Sequence, residues 1–119
     1  MNIYATNNLN FGKIVHAIVG NQHGLHFAPS AAIAEITRKV GKPIYFSHAG
    51  DTFEKNIKGS PVGLTIMEFT KGDEVIIRVA DDYPDYALKA VVNCVSAYNN
   101  EGLDYVKKSF YRDYYSRLS

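Results

Sequence analysis

A histidine between a glycine-containing loop and a helix is the residue of this chain best suited to chemistry. His26 follows Gly24 and Leu25 and precedes a stretch with helical spacing of apolar residues. The first turn of a helix presents N–H groups without intrahelical acceptors and a partial positive charge, which together bind anions. A neutral imidazole there is a nucleophile toward phosphorus. The pattern indicates either phosphoryl chemistry at His26 or a histidine that only caps the helix or lies inertly on the surface.

The remaining histidines and the cysteine indicate no second centre. His23 lies three residues before His26 and either is a solvated loop residue or serves as a cation below its reference pKa of about 6.5. His16 and His48 fall in predicted strands. A single cysteine, Cys94, excludes an internal disulfide and a cysteine-based metal cage, so we expect a buried thiol and no metal or cofactor.

Composition places the chain among ordinary globular domains. Of its 119 residues, 46% are hydrophobic and 21% charged, and 13 Lys and Arg against 12 Asp and Glu give a net charge of +1. That balance is too neutral for a typical nucleic-acid-binding protein. No apolar run approaches the roughly 18 residues of a membrane span. We therefore expect a soluble, cytoplasmic protein with no nucleic-acid partner and no membrane insertion.

Apolar periodicity predicts an α+β domain with the order β-α-β-β-α-β-α, a largely antiparallel sheet with helices on one face. The first strand is predicted over Lys13–Val19, and the first helix over Phe27–Val40 with its end at Gly41. The other predicted elements are strands at Ile44–Ser47, Thr52–Ile57 and Asp73–Ala80, a short helix from Ser60 carrying Val62, Ile66, Met67 and Phe69 to about Lys71, and a helix over Asp82–Asn99 whose apolar stripe includes Tyr98.

Both ends of the chain extend beyond this core. The predicted division is an N-terminal arm at 1–12, a domain at 13–100 and an aromatic C-terminal extension at 101–119. The extension is expected to form an extra helix, because its apolar and aromatic residues recur at helical spacing: Leu103, Val106, Phe110, Tyr114 and Leu118. That stripe should pack on the domain or on a second copy of the chain.

The segment around His26 resembles the phosphohistidine motif of HPr, the small phosphocarrier of the bacterial phosphoenolpyruvate:sugar phosphotransferase system. That motif reads Gly-Leu-His, any residue, Arg-Pro, then small residues. The matching residues are Gly24, Leu25, His26, Pro29, Ala31 and Ala32. The predicted element order over residues 13–99 is also that of HPr. The resemblance implies an HPr-like open-faced β-sandwich with four antiparallel strands.

The resemblance implies that His26 accepts a phosphoryl group from Enzyme I and passes it to a sugar-permease A domain or a related acceptor. Such a protein is a stoichiometric carrier and not a catalyst. The backbone N–H groups of Phe27 and Ala28 are then expected to donate hydrogen bonds to the phosphoryl oxygens. His23 is a further candidate for binding the phosphoryl group. The family's motif arginine is Ala28 here, which removes a charge-assisted contact of roughly 1.5–3 kcal/mol.

A second position resembles the family's regulatory site. Ser60 stands where many Gram-positive HPr proteins carry the serine phosphorylated by an ATP-dependent kinase, and it is equally explained as a helix N-cap. Partner docking is expected at Phe27, Pro61, Val62 and Thr65. The alternative function is therefore an HPr-like regulatory or binding module, controlled at Ser60, in which phosphotransfer at His26 is impaired or lost.

Overall fold

The computed structural model describes residues 12–51, 54–57 and 59–118. The predicted N-terminal arm lies outside the described residues except for Gly12. The elements, in chain order, are β1 (Lys13–Ile18), α1 (Phe27–Val40), β2 (Ile44–His48), β3 (Lys55–Asn56), α2 (Pro61–Thr65), β4 (Glu74–Val79), α3 (Asp85–Ser96) and α4 (Asn100–Leu118). This order confirms the predicted α+β succession and adds the expected C-terminal helix.

The four strands form one antiparallel sheet in the order β1-β4-β2-β3. The two faces of the sheet follow the alternation of inward-facing and outward-facing residues along each strand. Ile77 pairs with Val15 and with Phe46, and its side chain is fully buried beneath the helices. Ile14 and Ile18 point to the opposite face and are 56% and 53% exposed. The sheet is therefore covered by helices on one side and open on the other, as predicted.

Helix α1 has the bounds that the sequence predicts. Gly41 adopts a left-handed conformation (φ 74°), and its N–H donates to the Thr37 carbonyl oxygen at 2.9 Å, which closes the helix. Ile33 and Ile36 are fully buried against the sheet. The apolar face of α1 thus fixes the helix on the core and leaves its first turn at the edge of the sheet.

The predicted end of the second helix is wrong. The helix α2 ends at Thr65, and Ile66, which was predicted to lie within the helix, follows it and is 62% exposed. Glu68 has a φ of 57° and turns the chain, so Phe69 reaches the core from a loop. Apolar spacing alone did not distinguish a buried loop residue from a helical one.

Two further predicted boundaries are too wide. Helix α3 begins after Pro84, because the residue before a proline is biased away from the helical region, and it ends at Ser96. Tyr98 therefore lies beyond the helix and is 65% exposed. The predicted strand at Thr52–Ile57 is reduced to Lys55–Asn56, with residues 52 and 53 outside the described part of the chain.

The extra helix α4 packs against α1 and α3. Leu103 and Phe110 are buried, whereas Leu118, which the stripe also predicts to be buried, is 66% exposed at the helix end. Phe110 stacks on Tyr86 of α3 with ring centroids 5.6 Å apart. The Tyr111 hydroxyl donates a hydrogen bond to the Glu35 carboxylate, which ties α4 to α1.

Within the described part of the chain, no helix is both long enough and apolar enough to cross a bilayer.

Replacing Phe110 with alanine should destabilise the domain by about 3–5 kcal/mol, because a fully buried aromatic ring is lost from the contact between α3 and α4. Urea unfolding measures the change. The control Tyr105→Ala removes a ring on the same helix that is 72% exposed, and should change stability by less than about 0.5 kcal/mol. Equal effects of the two substitutions would show that α4 is not part of the core.

Candidate functional site

The loop between β1 and α1 is held by a glycine in close contact with another turn. Gly24 has a φ of 71°, and a Cβ added there would lie 2.2 Å from the Phe69 carbonyl oxygen. The same oxygen accepts a hydrogen bond from the Leu25 N–H at 3.1 Å. Only glycine combines this conformation with this approach. The loop therefore enters α1 at one fixed point.

The start of the same loop is anchored by α3 and by a buried amide. The Gly20 N–H donates to the Val95 carbonyl oxygen at 3.1 Å. Asn21 is 5% exposed, and its Oδ1 accepts from the His23 N–H at 2.9 Å. The backbone of His23 is thereby held in place beside the first turn of α1.

His26 occupies the N-cap position of α1, as the sequence predicts, and is partly exposed. Its side chain makes no capping hydrogen bond, although its carbonyl oxygen accepts from the Ser30 N–H at 3.1 Å. The helix entry is stabilised instead by the Ser30 hydroxyl, which donates to the Leu25 carbonyl oxygen at 2.8 Å. The imidazole of His26 is thus not used as a cap.

Two backbone donors lie directly after His26. The N–H groups of Phe27 and Ala28 belong to the first turn of α1 and have no intrahelical acceptor. Pro29, the third helical residue, has no N–H to leave unpaired. These two donors and the positive end of the α1 dipole favour an anion attached to the neighbouring imidazole.

The imidazole of His26 shares an open pocket with His23 and with the start of α4. The two rings meet edge to face, with centroids 5.7 Å apart. The pocket is lined by Asn21, Gln22, His23, His26, Tyr98, Asn99, Asn100 and Glu101. The sequence did not predict that Tyr98, Asn99, Asn100 and Glu101 form one wall of this pocket. Asn99 is a favourable N-cap residue and signals a helix start, but no local pattern places that start beside His26.

The other two histidines serve the fold. His16 forms a hydrogen bond with Glu74 on the open face of the sheet, with Nδ1 and Oε2 2.5 Å apart. His48 donates from Nε2 to the Met67 carbonyl oxygen at 2.7 Å and stacks on Phe69. Neither lines the pocket of His26. Residues 12–51, 54–57 and 59–118 contain no cluster of three or more metal-ligating side chains.

Cys94 is fully buried in α3. Burial raises the pKa of its thiol to about 12, so the thiolate is not formed near neutral pH. The cysteine is part of the core.

An apolar surface flanks the site along α1 and α2, which pack against each other. Phe27 is 67% exposed and Val62 is 62% exposed. Thr65 is also exposed, and Pro61 is partly buried at the start of α2. The structure adds Ile66, which the sequence analysis placed within the short helix and which is 62% exposed.

Ser60 is the N-cap of α2, and its Oγ accepts from the Val62 N–H at 3.3 Å. The residue is partly exposed. This placement accounts for Ser60 as the residue that caps α2.

An open-faced α+β sandwich with an accessible histidine at the start of its first helix has the architecture of a small phosphoryl carrier. The family model for the PTS HPr component phosphorylation site matches residues 15–97, from β1 to just beyond α3. The chain therefore belongs to the HPr family, the phosphocarriers of the phosphotransferase system, which are not catalysts. The matched region ends before α4.

Solved structures show the same fold. HPr-C-His from Thermoanaerobacter tengcongensis is 24% identical, with a TM-score of 0.61 over 77% of this chain and 96% of that chain. The histidine-containing phosphocarrier protein from Mycoplasma is 22% identical, with a TM-score of 0.61 over 76% of this chain and 97% of that chain. A search of curated protein sequences found no significant match.

Substituting Gly24 with alanine should destabilise the chain and displace His26, because the new Cβ meets the Phe69 carbonyl oxygen. The control Gly41→Ala shares the left-handed backbone (φ 74°) but has open space around it. We expect Gly41→Ala to cost about 1–2 kcal/mol of stability and Gly24→Ala more than twice as much. Chemical denaturation measures both. Equal costs would mean that the contact with Phe69 does not constrain the loop.

Proposed function

We propose that this chain is a phosphocarrier in which His26 accepts a phosphoryl group from Enzyme I and passes it to a sugar-permease A domain or a related acceptor. The observation that carries the proposal is the placement of His26. Its partly exposed imidazole stands at the N-cap of α1 without capping the helix, beside the unpaired N–H groups of Phe27 and Ala28.

The transfer exchanges one P–N bond for another. A nitrogen lone pair of the His26 imidazole attacks the phosphorus of a phosphohistidine on the donor. The donor P–N bond breaks, and its electron pair returns to the donor imidazole. The donor imidazole takes up a proton as its P–N bond breaks, and His26 gives up the proton on its second nitrogen, so the protons balance and the ring of the phosphorylated His26 is uncharged. The N–H groups of Phe27 and Ala28 donate to the transferred oxygens, and no metal is required.

His23 is the residue proposed to compensate for the absent arginine. Its ring centroid lies 5.7 Å from that of His26, and the Asn21 side chain holds its backbone. A protonated His23 would supply the positive charge that Ala28 lacks. The charged or titratable residues lining this pocket are His23, His26, Tyr98 and Glu101.

Both partners, Enzyme I and the phosphoryl acceptor, are proposed to dock on the apolar surface beside His26. Phe27 and Val62 expose more than half of their surface, and Pro61 and Thr65 lie on the same short helix as Val62. Ile66 extends this apolar surface. Exposed aromatic and aliphatic side chains around a reactive residue are typical of a protein-binding surface.

Incubation with Enzyme I and phosphoenolpyruvate should add one phosphoryl group, and acid treatment should remove it, because a phosphoramidate is acid-labile. Intact mass measurement before and after acid reports both steps. The variant His26→Ala should remain unmodified. The control His16→Ala changes an exposed histidine outside the pocket and should be modified like the wild type. Full acid-labile modification of His26→Ala would refute the assignment of His26.

Restoring the family's arginine should accelerate transfer. Ala28→Arg places a guanidinium beside the phosphoryl oxygens, and a charge-assisted contact of about 1.5–3 kcal/mol predicts a gain of about tenfold or more. Ala28→Gln is a control with similar reach and no charge. His23→Gln should slow transfer in the wild type and have less effect beside Ala28→Arg. Rapid-quench measurement of phosphorylation by Enzyme I gives these rates. An unchanged rate in Ala28→Arg would show that the site does not use an arginine.

A second candidate function is a regulatory module controlled at Ser60. The observation that favours it is the combination of Ala28 at the motif position with a partly exposed Ser60 at the N-cap of α2. A serine-specific kinase with ATP would then form a phosphate ester, which survives acid. Acid-stable modification that Ser60→Ala abolishes, together with an unreactive His26, would select this function over phosphotransfer.

A further inference from the structure

One wall of the His26 pocket lies beyond the residues that the family model matches. The family match ends at residue 97, whereas Tyr98, Asn99, Asn100 and Glu101 all line the pocket. The chain reaches this place because Ala97 leaves the helical conformation (ψ 131°) and α4 begins at Asn100. The added helix therefore contributes residues to the site as well as to the core.

The position of Glu101 in this wall is fixed from both sides. The Asn99 side chain caps α4, with Oδ1 accepting from the Gly102 N–H at 2.9 Å. Leu103 is 4% exposed, which holds the same turn on the domain. Glu101 stands between these anchors and is the acidic residue lining the pocket. At the rim, the Lys71 ammonium lies 5.6 Å from the centroid of the Tyr98 ring.

We infer that Glu101 sets the lifetime of the phosphoryl group on His26, an inference that rests on the proposed function. Its carboxylate repels the phosphoryl oxygens and favours protonation of the phosphoimidazole. Protonation turns the imidazole into a better leaving group. In hydrolysis, water attacks phosphorus, the P–N bond breaks with its electron pair going to the imidazole, and phosphate is released. Glu101 thus keeps the phosphoryl group labile and ready for transfer in a site that lacks the motif arginine.

The test uses the full chain and phosphoramidate, a small donor that phosphorylates histidine with release of ammonia. It needs no Enzyme I, so an unchanged half-life in Glu101→Gln overturns the role of Glu101 and leaves the proposed transfer standing, whereas failure to label His26 counts against both. The half-life of phospho-His26 is followed by intact mass in the wild type and in Glu101→Gln. Asp104→Asn is the matched control, because it removes one carboxylate from the same helix and Asp104 does not line the pocket.

Glu101→Gln should lengthen the half-life about two- to fivefold at low salt, the range expected for one exposed charge interaction. Glu101→Lys should lengthen it further, and Asp104→Asn should leave it unchanged. The effect should shrink between about 0.01 M and 1 M salt, where the Debye length falls from about 30 to 3 Å. A structural role of Glu101 would not depend on salt in this way.

Three results would overturn the inference. The first is an equal half-life for the wild type and Glu101→Gln at low salt. The second is a change in Asp104→Asn as large as that in Glu101→Gln, since any charge on α4 would then act alike. The third is failure of phosphoramidate to label His26, because the pocket would then not admit a phosphoryl group.

Discussion

The close approach of Gly24 to the Phe69 carbonyl oxygen decides where α1 begins. That oxygen leaves no room for a Cβ at residue 24 and accepts the Leu25 N–H, so the loop after β1 follows one path. His26 comes two residues later and has no side-chain hydrogen bond that would cap the helix. The position of His26, the proposed phosphoryl site, therefore follows from backbone packing between two turns and does not depend on charged side chains.

The electrostatics of the site differ from those implied by the family motif. An arginine would supply a permanent charge, whereas this chain has Ala28, and in the proposed function the backbone donors, the α1 dipole and the neighbouring His23 take its place. Glu101 on the added helix lines the same pocket. In the proposed function, such a balance would hold the phosphoryl group less strongly than a guanidinium would, which suits a carrier that must release what it accepts.

Local sequence signals predicted the elements whose ends depend on local chemistry. Gly41 and the spacing of Ile33 and Ile36 gave α1 its correct bounds, and strand alternation gave the open and covered faces of the sheet. The signals failed where an apolar residue lies outside the helix that was predicted to contain it. Ile66 is exposed and Tyr98 lies beyond α3. The meeting of α4 with His26 joins residues distant in sequence and depends on how α3 ends, so no local pattern revealed it.

Amide proton shifts test the central claim, that the first turn of α1 holds a phosphoryl group on His26. Two-dimensional NMR spectra of the phosphorylated and unphosphorylated chain report each backbone N–H separately. We expect the Phe27 and Ala28 amide protons to show the largest downfield shifts, because they gain hydrogen bonds to phosphoryl oxygens. A phosphohistidine that leaves both amides unchanged, or that appears at another histidine, would contradict the account.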